Sequence, residues 1–269
     1  MSRIIYLIPI SIISYIFGLF NPIMEIDAMQ YASMSRELLR NDNFLHFFDN
    51  GKPYLDKPPL IFWVTALFFK LFGVSNLTYR LPSVVFSILT IYSTYKFSRL
   101  YYSKNIAIKS ALILSSCQAF YIMNGDVKTD IYMIGPMMFS IWQFSDYLMN
   151  KRWSNIILGS VGIAFSMMGK GPLGLVIPYC VITADILFKN KLKMKFDIKL
   201  LIALMIIIGL LIPMSYGLYT QFGAEGLKFF YWKQSFGRIT GSSSMSNDTG
   251  PFYLLNVFLY SFMPWTLIF

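Results

Sequence analysis

The sequence predicts an all-α polytopic membrane protein, and its composition, its long apolar runs and its aromatic content each support that prediction. Of its 269 residues, 56% are hydrophobic and 13% are charged, and the mean hydropathy is +0.55. A soluble globular domain carries about 25% charged residues. The 25 Phe, 18 Tyr and 5 Trp suit a bilayer protein, because aromatic rings favour the membrane–water interfaces.

Long apolar runs locate the predicted transmembrane helices. The first run lacks a small-residue cleavage site, so it is expected to stay as a first span rather than be removed as a signal peptide. The last run reaches the end of the chain without a polar anchor, which suggests the N-terminal part of a longer protein. We therefore predict one transmembrane domain over residues 1–269. Its eight spans are 4–20, 82–100, 106–122, 131–149, 154–168, 172–188, 198–216 and 251–269.

A further apolar run, residues 58–73, can be read as a span or as a helix at the membrane interface. If it spans and the N-terminus is cytoplasmic, two lysine-rich segments face outward, against the rule that positive loops are cytoplasmic. If it lies at the interface, both segments become cytoplasmic. The run is also short and opens with two prolines, which favours the interfacial position. We therefore predict a cytoplasmic N-terminus and an outer loop, residues 21–81, that contains interfacial helices.

The net charge of +10 does not require a nucleic-acid partner, because cytoplasmic lysines that fix membrane orientation explain it. Cys117 and Cys180 fall inside apolar runs and are expected to be small buried hydrophobes rather than a disulfide. His46 is the single histidine, so no zinc site built from this chain alone is expected.

The outer loop is the predicted catalytic segment, because it holds six of the thirteen carboxylates. The predicted topology brings nine charged residues to the same face. They are Asp27, Asp56, Lys57, Asp126, Lys128, Asp130, Lys170, Lys233 and Arg238. A transporter would be expected to bury ionisable residues in its helices near the bilayer midplane, and these spans contain almost none. The pattern therefore favours an enzyme that works at the membrane surface.

Two of these residues admit a structural as well as a functional interpretation. Asp27 begins an amphipathic segment, where it can act as a helix N-cap, or instead as a general base or a group that positions an acceptor. Lys57 precedes two prolines that suit a helix start, so it is either an interfacial anchor or a cation for a lipid-linked phosphate. The residues alone leave both alternatives open.

Five blocks of sequence, together with Asp130, carry a resemblance to a known family. They are DAMQYASMSRELL (27–39), GKPYLDKPPLIFW (51–63), LFGVSNLTYRLPS (71–83), GKGPLGLVIP (169–178) and FFYWKQSFGR (229–238). In this order, along nearly the whole chain, they resemble bacterial glycosyltransferases of the GT-C superfamily, in the group that contains the lipid A aminoarabinose transferase and the protein O-mannosyltransferases.

The resemblance implies a GT-C-like transmembrane helix bundle in the bacterial inner membrane, with its active site on the outer face. It implies inverting transfer of a sugar from a polyprenyl-phosphate donor to a lipid A-like or protein acceptor. No cofactor is expected, and dependence on a divalent metal does not follow from the residues.

The resemblance also assigns roles to individual residues. Asp27 and Asp130 match the catalytic carboxylates of the first and second outer loops. Lys57, Lys170 and Arg238 match cations on the side of the donor phosphate, and the supporting residues are Asp56, Gln30 and Tyr31. Two departures bear on these roles: Ala28 stands where many relatives have Glu, and Gln30 replaces an Arg found in some lipid A modifiers. A lipid or polysaccharide transporter and an inactive membrane scaffold are the alternatives.

Overall fold

The computed structural model describes residues 7–20, 22–23, 25–188, 198–234, 250 and 252–268, and helices account for most of them. One two-stranded hairpin interrupts the helices, with β1 at Phe48–Asp49 and β2 at Lys52–Pro53. The helices are α1 Leu7–Leu19, α2 Ile26–Asn41, α3 Leu60–Phe72, α4 Asn76–Tyr101, α5 Lys104–Ser115, α6 Gln118–Gly125, α7 Thr129–Asn150, α8 Trp153–Lys170, α9 Leu173–Phe188, α10 Ile198–Lys228 and α11 Tyr253–Ser261.

The predicted α class is confirmed, but two apolar runs fold differently from one straight span each. The run 106–122 is broken into α5 and α6, whose axes differ by 50°. At this break the hydroxyls of Ser115 and Ser116 both donate to the carbonyl of Leu112, a side-chain competition that bends helices. The run 251–269 is helical only to Ser261, and a turn with a short 3₁₀ segment follows.

The described helices do not by themselves establish eight membrane crossings. Within the described residues, one helical stretch, Ile198–Lys233, is long and apolar enough to cross a bilayer, and α5 with α6 would form a second if the bent pair is one span. The helix α3 has 13 residues, which gives a length of about 20 Å against a hydrocarbon thickness of about 30 Å. The structure is thus helical, and the number of membrane passes and the orientation stay predictions.

Glycines let α7, α8 and their neighbours approach closely. Gly162 on α8 packs directly against α7. A methyl group added to its Cα would lie 2.8 Å from the Pro136 carbonyl oxygen and 2.9 Å from Ser140 Cβ. A methyl group on Gly135 would lie 2.9 Å from the Phe86 carbonyl oxygen on α4. Small residues at such contacts are what packs helices in a membrane, because van der Waals contact must replace the hydrophobic driving force.

Replacing Gly162 by alanine should therefore destabilise the helix bundle, although alanine is the better helix former. We expect a loss of about 1–3 kcal/mol, because α7 would have to move to admit the methyl group. The matched control is Gly209→Ala on α10, where an added Cβ meets nothing within 4 Å. Thermal unfolding in detergent compares the two, and an equal melting temperature for both variants would contradict the packing argument.

The outer loop forms a compact unit on the bundle. Asn50 and Gly51 both have positive φ, at 51° and 75°, as a two-residue hairpin turn requires. The helix α2 buries Tyr31 against α3, where its ring meets the edge of Phe62 at 5.8 Å. From α10, the side-chain amide of Gln221 both accepts from the Phe47 backbone N–H, at 3.0 Å, and donates to its carbonyl, at 2.8 Å. The outer loop is therefore packed internally through α2 and α3, and it is hydrogen-bonded to α10 of the bundle.

Candidate active site

One charged cavity of about 380 Å³ lies where the outer loop meets the bundle. Its walls come from the start of α2, the segment before α3, the loop between α6 and α7, the end of α8 and the segment after α10. The lining residues are Asp27, Tyr31, Lys57, Pro58, Lys128, Thr129, Asp130, Lys170, Leu173 and Gln234. Five of the eight site residues predicted from the sequence thus share one cavity.

Asp27 is exposed to this cavity and does not cap its helix. The N-cap residue of α2 is Glu25, and Asp27 lies within the first turn, so the N-cap interpretation is wrong. Among the described residues, its one hydrogen-bond partner is the Tyr31 hydroxyl, which donates to Asp27 Oδ2 at 3.5 Å. Burial, and then the nearby Asp27 charge, raise the pKa of Tyr31 well above its usual value. Tyr31 therefore stays protonated and acts as a donor to the carboxylate.

Lys57 is held at the cavity wall by its neighbour in the chain. Its ammonium lies 2.7 Å from Asp56 Oδ2, and both side chains are about one-quarter to one-third exposed. The Asp56 backbone carbonyl accepts a hydrogen bond from Gln234 Nε2 at 2.6 Å, which ties this segment to the end of the α10 region. Asp56 itself does not line the cavity, so its place in the site is to position Lys57.

Asp130 and Lys170 meet across the contact between α7 and α8. The Lys170 ammonium donates to Asp130 Oδ1 at 2.5 Å. The two helices pack closely near these residues. A Cβ added to Gly169 would lie only 2.8 Å from the Tyr132 carbonyl oxygen. Gly171, at φ +79°, then ends α8 in a conformation that glycine adopts without strain.

Lys128 also lines the cavity; the sequence placed it on the same face as the site but assigned it no catalytic or phosphate-binding role. Its ammonium pairs with Glu25 Oε1, across 103 positions of the chain. The second carboxylate oxygen of Glu25 is buried and has no hydrogen-bond partner among the described residues. The charged cluster NGDVKTD (124–130) could have indicated that Lys128 belongs to the site. The sequence does not indicate that Lys128 pairs with Glu25, because the two residues are far apart in the chain.

The remaining predicted site residues have other positions. Gln30 does not line the cavity; it donates to Asp49 Oδ2 at 2.6 Å, which joins α2 to the hairpin. Arg238 lies outside the described residues. Within the part of the chain that the structure describes, no group of three or more His, Cys, Asp and Glu side chains is close enough to hold a metal ion. His46 contacts Asn43 and Thr220 instead.

In the described part of the chain, the cavity therefore contains three ammonium groups that are each ion-paired and one carboxylate, that of Asp27, that is not. Lys57, Lys128 and Lys170 each have a carboxylate partner, whereas Asp27 has no cation within ion-pair distance among the described residues. Such a cavity can hold an anion on its lysines and can present the Asp27 carboxylate to a hydroxyl or an electrophilic carbon.

The fold is that of the GT-C class of membrane glycosyltransferases. It superposes on the crystal structure of ArnT from Cupriavidus metallidurans bound to undecaprenyl phosphate with a TM-score of 0.86, over 98% of this chain and 49% of that chain, at 20% identity. The apo crystal structure of the same protein gives a TM-score of 0.80 at 19% identity. The chain belongs to the dolichyl-phosphate-mannose-protein mannosyltransferase family, whose sequence profile matches residues 56–216.

Curated relatives confirm the resemblance seen in the sequence. The chain is 28% identical over 198 residues to an uncharacterized protein of Aquifex aeolicus. The aligned region covers 72% of this chain and 40% of that relative. It is 25% identical over 271 residues to the undecaprenyl phosphate-alpha-4-amino-4-deoxy-L-arabinose arabinosyl transferase of Erwinia tasmaniensis, which covers 97% of this chain and 46% of the relative. The chain thus spans less than half the length of these relatives.

Proposed function

We propose that this chain forms the sugar-transfer site of an inverting glycosyltransferase, which moves a sugar from a polyprenyl-phosphate donor to a lipid A-like or protein acceptor. The observation that carries the proposal is that Lys57, Lys128, Lys170 and the carboxylate of Asp27 line the same cavity. Undecaprenyl phosphate is named both for the arabinosyl transferase relatives and for the solved structure of similar fold, which supports a donor of this kind.

The membrane arrangement that suits this function is the one predicted from the sequence. The protein lies in the bacterial inner membrane with its N-terminus cytoplasmic, eight spans, and α2 and α3 at the outer interface. The shortness of α3 and its position beside the cavity support an interfacial helix. The charged cavity then opens to the outer face, where a lipid-linked sugar and its acceptor can both reach it.

In the proposed reaction, an acceptor oxygen attacks the anomeric carbon of the sugar while the bond from that carbon to the phosphate oxygen breaks. Negative charge grows on the departing polyprenyl phosphate, and Lys57 and Lys170 offset it. Asp56 and Asp130 hold these ammonium groups in place before the substrate binds, at 2.7 Å and 2.5 Å. Little reorganisation is then needed at the moment of reaction.

Asp27 acts on the acceptor. If the acceptor is a hydroxyl, the Asp27 carboxylate takes its proton as the new bond to carbon forms. If the acceptor is a phosphate, its oxygen is already anionic, and Asp27 positions the acceptor without receiving a proton. The exposure of Asp27 and the weak 3.5 Å contact with Tyr31 leave its carboxylate oxygens available to a ligand.

The test is a transfer assay with the complete protein in bacterial membranes. A panel of undecaprenyl-phosphate-linked sugars, labelled in the sugar, is incubated with membranes that contain or lack the protein, and label is followed into lipid and protein fractions. We expect one donor to be consumed only when the protein is present, with the labelled fraction identifying the acceptor class. If no donor of the panel is consumed by folded protein, the transfer proposal fails, and a lipid or polysaccharide transporter or an inactive scaffold replaces it.

A further inference from the structure

Arg80, near the start of α4, is a buried cation that the proposed reaction does not use. Arg80 is 1% exposed, and its side chain is among the largest fully buried side chains of the described residues. Burying a guanidinium is costly unless its N–H groups are hydrogen-bonded, so its contacts indicate what it does.

The guanidinium of Arg80 donates to backbone carbonyls from two distant segments of the chain. Its Nε donates to the Gly125 carbonyl oxygen at 3.0 Å, and its Nη2 donates to the Pro22 carbonyl oxygen at 3.1 Å. A third, longer contact of 3.5 Å joins Nη1 to the Asn76 carbonyl oxygen, one turn earlier on α4. One side chain therefore connects α4 with the segment before α2 and with the end of α6.

The two distant carbonyls have matching places relative to the site. Pro22 stands five residues before Asp27, and Gly125 stands five residues before Asp130. We propose that Arg80 is a positioning residue, which fixes the two segments that carry Asp27 and Asp130 relative to each other. This inference rests on the proposed function of the cavity, and it adds the element that sets the separation of its two carboxylates.

Arginine suits this role and lysine does not. The guanidinium presents five N–H donors in a rigid plane, so it can donate to two carbonyls in different directions at once. A lysine ammonium donates from one nitrogen on a flexible stem, so it cannot occupy the positions of both Nε and Nη2 at once. Lysine would keep the positive charge and much of the apolar stem, so Arg80→Lys removes the double attachment more selectively than a neutral residue would.

A second link joins the same two segments nearer to the site. Glu25, two residues before Asp27, pairs with Lys128, two residues before Asp130. Both side chains of this pair are about one-third exposed, so it is screened by solvent and holds the segments less firmly than the buried arginine does. Glu25→Gln keeps the shape and removes the charge, which makes it a milder second variant.

The experiment compares Arg80→Lys with Arg99→Lys in the complete protein. Arg99 is on the same helix, and its Nη1 contacts the Tyr102 carbonyl in an exposed position, so it controls for the change of side chain. Three quantities are measured: kcat and KM for transfer from the donor that wild type uses, the melting temperature, and hydrogen exchange of segments 22–27 and 125–130.

For Arg80→Lys we expect a 10- to 100-fold loss of kcat with KM within about threefold, because a shift of about 1 Å at reacting groups can cost 100-fold. Hydrogen exchange should rise in both segments and stay unchanged in the middle of α7. Glu25→Gln should shift the same quantities in the same direction by less, and Arg99→Lys should leave them unchanged.

Faster exchange in both segments with an unchanged kcat would overturn the positioning role while leaving the proposed transfer intact. Unchanged exchange would overturn it as well. If Arg80→Lys does not fold, kcat and hydrogen exchange of Glu25→Gln decide instead. Faster exchange with an unchanged kcat in that variant would again overturn the positioning role. If wild type transfers no sugar from any donor, the proposed function fails, and the positioning role that rests on it fails with it.

Discussion

Sugar transfer should fall by about a thousandfold in Asp27→Asn, since general-base catalysis contributes about 10²- to 10⁴-fold and the amide cannot accept the proton of a hydroxyl acceptor. The substitution keeps the size of the side chain, and the Tyr31 hydroxyl can still donate to the amide oxygen. The fold should therefore be unaffected, and the loss should appear in kcat, measured as label transferred in membranes at saturating donor.

The matched control for this variant is Asp42→Asn, which makes the same chemical change in the same outer loop at an exposed position away from the cavity. Its transfer should equal that of wild type. Full activity in Asp27→Asn would remove Asp27 from the reaction centre. A loss smaller than tenfold would indicate an acceptor that is already ionised, for which Asp27 only positions.

Lys57→Met should lower kcat by about 10²- to 10³-fold, the range found when one preorganised donor to a developing negative charge is removed. Methionine retains most of the length of the stem and lacks the ammonium. The variant also leaves Asp56 without its cation, 2.7 Å away in wild type, so part of the loss would come from an uncompensated carboxylate. The measurement is again label transfer in membranes, over a range of donor concentrations.

Two further variants separate these contributions. Lys52→Met changes an exposed lysine of β2 in the same loop and should behave as wild type. The double variant Asp56→Asn with Lys57→Met removes both charges, so recovery of activity relative to Lys57→Met alone measures the share due to Asp56. Activity of Lys57→Met equal to that of Lys52→Met would show that Lys57 is an interfacial anchor and not a ligand of the donor phosphate.

Apolar runs located the helices well, because a run of uncharged residues in a bilayer protein has few alternatives to a helix. The break between α5 and α6 was not visible, since it depends on which hydroxyls turn back onto the Leu112 carbonyl. The extension of α10 beyond the apolar run was also missed, because it passes through polar residues and is kinked at Gly223, where φ is +63°.

The site was predicted in part. Asp27, Lys57, Asp130 and Lys170 line one cavity because each lies at or beside the end of a helix, and these helix ends meet there. Arg80 and the Glu25–Lys128 pair could not be predicted, because their partners are distant in sequence and two of them are backbone carbonyls, which carry no residue signature.

The pairing of each cavity lysine with an internal carboxylate has a consequence for selectivity. An incoming anion does not meet an isolated cation there; it shares each ammonium with a resident carboxylate, so its net electrostatic gain is smaller than at an unpaired lysine. Inorganic phosphate or chloride, which bring nothing else, would therefore occupy the cavity poorly at cellular concentrations. A phosphate attached to a long hydrocarbon chain gains the rest of its affinity from the bilayer, so the paired lysines favour lipid-borne ligands over soluble ones.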